Sequence, residues 1–250
     1  MMYEPEYIAL LFLLGCITGF INVMAGGGSA LTLPLLLFLG LDAPVANGTN
    51  RVAIFALTLS AALSMHRENV SDFKFSTKMG LYTLPGAILG AYLANDIGND
   101  LFKEILGYVM IGIVGMIIMP KAYKEKLIKR FSKYPKLIYF SMLILGFYGG
   151  FIQVGIGFLL MLALQSILDL NLLRVNMHKV FIVLIYTIPA LGIFIYNGNV
   201  NLILGLVLAA GMSIGAWWSA KYAVKKGDKI IRWFLITSII LMSMKLLGIF

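Results

Sequence analysis

Apolar positions along the chain gather into eight stretches, and their lengths sort into two kinds. Six have the length of a single membrane crossing, about 20 residues for about 30 Å of hydrocarbon. They are 47–65, 76–94, 101–119, 178–196, 200–217 and 231–249. Two others, 7–40 and 137–168, are too long for one such helix and too short for two helices and a turn. Both are broken near the middle by glycine, at Gly26-Gly27-Gly28 and at Gly155-Ile156-Gly157. The pattern predicts a helical hairpin at each place, with arms shorter than a full crossing.

The two hairpins resemble each other. Gly15 to Val23 reads GCITGFINV, and Gly146 to Val154 reads GFYGGFIQV. Downstream, DAPVANGTNR (Asp42 to Arg51) is matched by NLLRVNMHK (Asn171 to Lys179). In each, a helix-capping residue leads through one or two turns to a basic residue inside an apolar span. The chain therefore reads as two transmembrane repeats, 1–119 and 137–250, joined by a basic linker at 120–136. Each repeat is a glycine-broken short hairpin followed by three full transmembrane helices.

Composition turns this pattern into a class. AVILMFWYC residues make up 60% of the chain, and mean hydropathy is +0.93. Charged residues are 12%, against about 25% in soluble domains. No water-soluble globule hides that much apolar surface, so the expectation is an all-α polytopic membrane protein. No basic residue precedes the first apolar run, which argues for a retained span rather than a cleaved secretory signal. One cysteine and two histidines leave no disulfide framework and little metal chemistry.

Charge orients the spans. With the 120–136 linker in the cytoplasm, seventeen of the twenty basic residues fall on that side or enter from it; Arg51, Lys103 and Lys245 are the exceptions. This follows the positive-inside rule, so the net charge of +9 is read as topology rather than as a nucleic-acid surface. Both termini come out external. Each half crosses the membrane an odd number of times, so the second repeat is expected to be inverted relative to the first, the plan of many secondary transporters.

Candidate chemistry follows from depth. Irregular backbone is tolerated in lipid only where it meets protein or water, so Gly26, Gly27, Gly28, Gly155 and Gly157 are expected to line a cavity with amides that favour an anion. Arg51 lies nine residues past Asp42, about 13 Å along a helix and close to the midplane. Lys179 lies eight past Asn171. Charge at that depth is a functional candidate, with snorkelling to the surface as the competing reading. Thr49 and Asn50 beside Arg51, His178 beside Lys179, and the paired amides Asn22 and Gln153 complete the candidate substrate site. No Asp or Glu sits mid-span, which counts against a carboxylate proton relay. No phosphate loop or catalytic triad is present, so neither an enzyme nor a bound cofactor or metal is expected.

The stretches GFINVMAGGGSALTLPLLL (19–37) with NGTNR (47–51), and GFYGGFIQVGIGFLLMLAL (146–164) with NMHK (176–179), resemble the sulfite exporter TauE/SafE family of membrane transporters. The likeness extends to AKYAVKKGDKIIRWFL (220–235). It implies a permease of the cell inner membrane for sulfite, organosulfonates or other small organic anions, mainly an exporter. Coupling to protons and homo-oligomerisation stay open. An anion channel with the same half-site chemistry and a non-transport assembly factor are the competing functions.

Overall fold

The computed structural model describes residues 4–68, 72–222, 236 and 239–249. All regular secondary structure among them is helical: α1 (Pro5–Ala25), α2 (Ser29–Phe38), α3 (Ala43–Arg67), α4 (Phe73–Asn95), α5 (Asn99–Ile118), α6 (Lys121–Phe131), α7 (Leu137–Phe151), α8 (Ile156–Leu168), α9 (Leu172–Tyr196) and α10 (Leu202–Tyr222). A further helical stretch covers 239–246. The predicted span 231–249 lies partly outside the described residues, as does most of the 220–235 motif.

Local chemistry sets the boundaries. Pro5 opens α1, and Gly26 closes it with φ 82°, a left-handed geometry that a Cβ would penalise. The predicted caps at Asp42 and Asn171 stand at the starts of α3 and α9. The Asn171 carboxamide oxygen accepts from the Arg174 amide at 2.9 Å. Asp42 instead works across helices. Its carboxylate accepts from Asn99 Nδ2 at 2.6 Å, while Asn99 Oδ1 accepts from the Ala43 amide at 2.6 Å, tying the start of α3 to that of α5.

One expectation needs correction. The first arm of the first hairpin is not short: α1 has 21 residues, which at 1.5 Å each is about 31 Å. The break falls about three fifths of the way along the apolar stretch, and α1 starts ahead of it at Pro5, so only α2, with 10 residues, is a half-length arm. In the second hairpin both arms are short, 15 residues in α7 and 13 in α8. Among the described residues, four helices are long and apolar enough to cross a membrane: Pro5–Met24, Asn99–Ile118, Leu173–Tyr196 and Leu202–Lys221. The 25-residue α3 has the length without the apolarity, because it carries four buried polar residues, Asn47, Thr49, Asn50 and Arg51. Outward faces show the reverse pattern, with Leu10, Leu13 and Ile17 on α1 and Ile88, Leu89 and Tyr92 on α4 exposed. Apolar exposure on this scale suits lipid and not water.

Helices meet through glycine. Gly15 and Gly19 of α1 pack against Gly211 and Gly215 of α10, and Gly86 and Gly90 of α4 pack against Gly146 and Gly150 of α7. Pairs of small residues four apart let two backbones approach closely. At the first contact Phe12, Cys16 and Phe20 of α1 meet Gly211, Gly215 and Ser219 of α10, numbers that rise together, so these helices run parallel. The same reasoning applies to α4 and α7, where Thr83 meets Gly146 and Ala87 meets Gly150. It also applies to α3 and α10, where Thr49, Ser60 and Ser64 bond Asn201, Ser213 and Trp217. Helices α3 and α9 run oppositely: Gly48 meets Phe194 near the end of α9, while Leu57 lines the same cavity as Val180 near its start.

Candidate functional site

The two glycine breaks cross each other in the middle of the bundle. A Cβ built on Gly26 would stand 2.6 Å from the Gly157 carbonyl carbon, and one on Gly157 would stand 2.5 Å from Gly26 Cα. Only paired glycines permit this backbone contact. Ser29, the first residue of α2, stitches the crossing: its hydroxyl donates to the Gln153 carbonyl at 3.4 Å and accepts from the Gly155 amide at 3.2 Å. Gly28 sits tight against α1, since a Cβ there would come within 2.8 Å of the Asn22 side chain. Gly27 is buried between them, and its carbonyl accepts from Ala30.

Both buried cations sit at this crossing, each bound to the end of a helix from the other half of the chain. Arg51, on α3, is 0% exposed, and its guanidinium lies over the Phe194 ring at 4.7 Å. Nη1 donates to the Gly149 carbonyl at 3.0 Å; Nη2 donates to the Gly150 carbonyl and, at 3.4 Å, to Asn47 Oδ1. Asn47 Nδ2 takes the Phe151 carbonyl at 2.8 Å. The last turn of α7 is thereby capped by side chains of α3. Lys179, on α9, is 2% exposed and does the same for α1. Its ammonium donates to the carbonyls of Asn22 at 3.2 Å and Val23 at 2.9 Å, and to Asn176 Oδ1 at 2.9 Å. The last carbonyls of a helix lack intrahelical donors and carry its negative dipole end, so a cation is a natural partner there. Neither side chain snorkels.

The other expected residues divide. Gln153 lies at the crossing in a left-handed conformation, φ 60°, with Nε2 donating to Thr187 Oγ1 at 3.2 Å. Asn22 is its sequence counterpart but not its structural one: it is helical, in the last turn of α1. Asn50 accepts the Thr32 hydroxyl at 2.6 Å. Thr49 points away from the breaks, accepting the Asn201 amide at 2.9 Å ahead of α10. His178 faces α4, with Nδ1 at 2.8 Å from the Ser76 hydroxyl and its ring against Phe75. Residues not anticipated are Ser29 and Thr32, three apart on one face of α2, and Tyr186 and Thr187 on α9. The polar pair following the triple glycine was a readable signal for the first two.

A cavity of about 20 Å³ lies beside the crossing, lined by Asn22, Gly26, Ser29, Gln153, Gly157 and Lys179 together with apolar residues of α3 and α9. That is room for about one water.

Comparison with known proteins matches nearly the whole chain. A family model described as Sulfite exporter TauE/SafE matches residues 11–246. A "Probable membrane transporter protein ORF9" of Sinorhizobium sp is 30% identical over 96% of this chain and 92% of the relative. A "Probable membrane transporter protein" of Haemophilus influenzae is 29% identical over 96% and 94%. A "Probable membrane transporter protein YfcA" of Escherichia coli K12 is 30% identical over 98% and 91%. No solved structure matches.

Proposed function

Because the chain belongs to the sulfite exporter TauE/SafE family and is a multi-pass membrane protein, we propose that it is a secondary transporter of small oxyanions. Sulfite and organosulfonates are the first candidates, export the direction, and the inner membrane the place, with both termini outside. The site is the crossing of the two glycine breaks. One observation carries this reading: two cations buried to 0% and 2% exposure stand there among backbone carbonyls and amides, with no buried carboxylate among the described residues. Positive charge held in low dielectric without a counter-ion draws an anion.

The alternating-access part of the proposal rests on inverted repeats, 1–119 and 137–250 about the 120–136 linker. Helix direction supports it. With α1 and α3 parallel to α10, α4 parallel to α7, and α3 opposed to α9, the counterparts α1/α7 and α3/α9 point opposite ways wherever α3 and α4 form a simple up-and-down pair. Glycine spacing supports it as well: Gly80, Gly86 and Gly90 of α4 recur at the same intervals as Gly205, Gly211 and Gly215 of α10. Each half's broken helix end is held by the other half's cation, so a rocking motion of one half remakes both caps together.

The test is twofold. In purified protein, sulfite, sulfate, sulfoacetate, taurine and thiosulfate are screened for thermal stabilisation; a true ligand at a hundred times its Kd adds about 2.7 kcal/mol. Proteoliposomes are then assayed for flux of the stabilising anion. Absence of both stabilisation and flux for every anion rejects the proposal.

A further inference from the structure

We propose that α6 is a docking face for anionic phospholipid headgroups, and that through this contact it braces α8, the short arm that follows the second glycine break. The proposal goes beyond the choice of solute and needs only that the chain spans a bilayer.

Three observations meet on this helix. The first is where its ends are fixed. Ile118, the last residue of α5, is 53% exposed, and only Met119 and Pro120 separate it from α6. Beyond α6, residues 132–136 lead straight into α7, whose Phe140 and Ile144 are also exposed. Large apolar side chains left open this close to the linker put the hydrocarbon edge at both of its ends. The headgroup layer extends about 5–8 Å past that edge. An 11-residue helix about 16 Å long, tethered there on both sides, lies in that layer or within a Debye length of it.

The second is how its residues divide. Leu127, Ile128 and Phe131 fall within an arc of about 100° around the helix. All three are half-buried, α6 packs against α8, and Phe131 joins the core. Lys126, Lys129 and Arg130 occupy an arc of similar width on the opposite side, and all are exposed.

The third is charge without a counter-ion. Residues 120–136 carry seven basic side chains and a single acid, Glu125. Lys126, Lys129, Arg130, Lys133 and Lys136 are exposed, and none has an ion-pair partner among the described residues. Basic clusters of this size beside a membrane helix recognise anionic lipid. Tyr123 and Tyr134, exposed at 54% and 64%, are the residue type that settles among headgroups. A face of lysines serving only solubility has no use for them.

Hydrogen exchange followed by mass spectrometry tests this on full-length protein in nanodiscs of phosphatidylcholine alone and of an equimolar mixture with phosphatidylglycerol. Each basic residue at an anionic surface contributes about fivefold to binding, so peptides from 121–136 are expected to exchange at least about tenfold slower in the mixed nanodiscs. Peptides from α8 are expected to slow with them, and those from α1 and α10 to stay unchanged. Salt at about 1 M, where the Debye length is about 3 Å, should cancel the difference. A Lys126→Gln, Lys129→Gln, Arg130→Gln protein should exchange in mixed nanodiscs as the wild type does in phosphatidylcholine. If that variant does not express, the salt dependence of the wild type decides alone. Equal exchange of 121–136 in the two lipids, or slowing spread evenly over all helices, overturns the docking. Slowing of α6 without α8 overturns the brace.

Discussion

Substituting alanine at Gly150 tests whether the packing and the buried charge are one device. A Cβ at Gly150 would stand 2.6 Å from Ala87 Cα, where ordinary contact is 3.4–4 Å, so α4 and α7 must part by about 1 Å. Overpacking of this kind costs about 1–3 kcal/mol. The same residue supplies a carbonyl to Arg51, and a hydrogen bond to a charged group is worth about 1.5–3 kcal/mol. If half of that bond is lost with the shift, the total is about 2–4.5 kcal/mol. Gly112 is the internal standard. Nothing lies within 4 Å of its Cβ position, so Gly112→Ala should gain about 0.5–1 kcal/mol from helix propensity alone. Unfolding in mixed micelles, followed by near-ultraviolet circular dichroism across an SDS titration, gives both numbers on one scale. A Gly150→Ala protein as stable as Gly112→Ala would refute the close approach of α4 and α7 and the cap built on it.

Arg51→Ala strips the Gly149 and Gly150 carbonyls of their donor; it should cost about 2–5 kcal/mol in the same titration and weaken sulfite binding at least about 30-fold by calorimetry. Arg51→Lys should recover only part of both, and full recovery would show that the fork geometry is irrelevant. Gly157→Ala places a Cβ 2.5 Å from Gly26 Cα and should stop flux in proteoliposomes while the protein still inserts; normal flux would remove the crossing from the transport path. A cysteine at the exposed Lys129 of α6, on a Cys16→Ser background, should react with an impermeant thiol reagent only from the cytoplasmic side. Labelling in intact cells would reverse the topology.

Much of the fold was legible because the membrane imposes one length on every crossing. The predicted stretches 178–196, 101–119 and 76–94 fall within a residue or two of α9, α5 and α4 or inside them. What failed was the partition of the first hairpin. A glycine triplet marks where a helix stops but says nothing about how far its other end extends, and Pro5 starts α1 well ahead of the apolar core. The register of the two hairpins misled in a related way. GFINV and GFIQV align letter for letter, yet Asn22 is still helical where Gln153 has left α7 and turned to φ 60°. An overlooked signal lay in the glycines of α4 and α10, whose repeated spacing was present in the sequence and marks the helices that clasp the broken arms.

The site was half legible for a more basic reason. Depth and charge singled out Arg51 and Lys179, and both are buried at the crossing. Their partners could not be named, because a backbone carbonyl has no letter of its own in the sequence. Gly149, Gly150, Asn22 and Val23 bind the cations through atoms that every residue has. Elimination could have come closer. With no Asp or Glu mid-span, the compensating charge for two buried cations must come from oriented dipoles, and the negative ends of helices are the strongest ones a bundle supplies. A chain with two broken helices has two such ends inside its helix bundle. Lys179 and Arg51 each stand at one of them, and only Arg51 keeps a donor to spare. The absence of acids, more than the presence of bases, was the informative feature of this sequence.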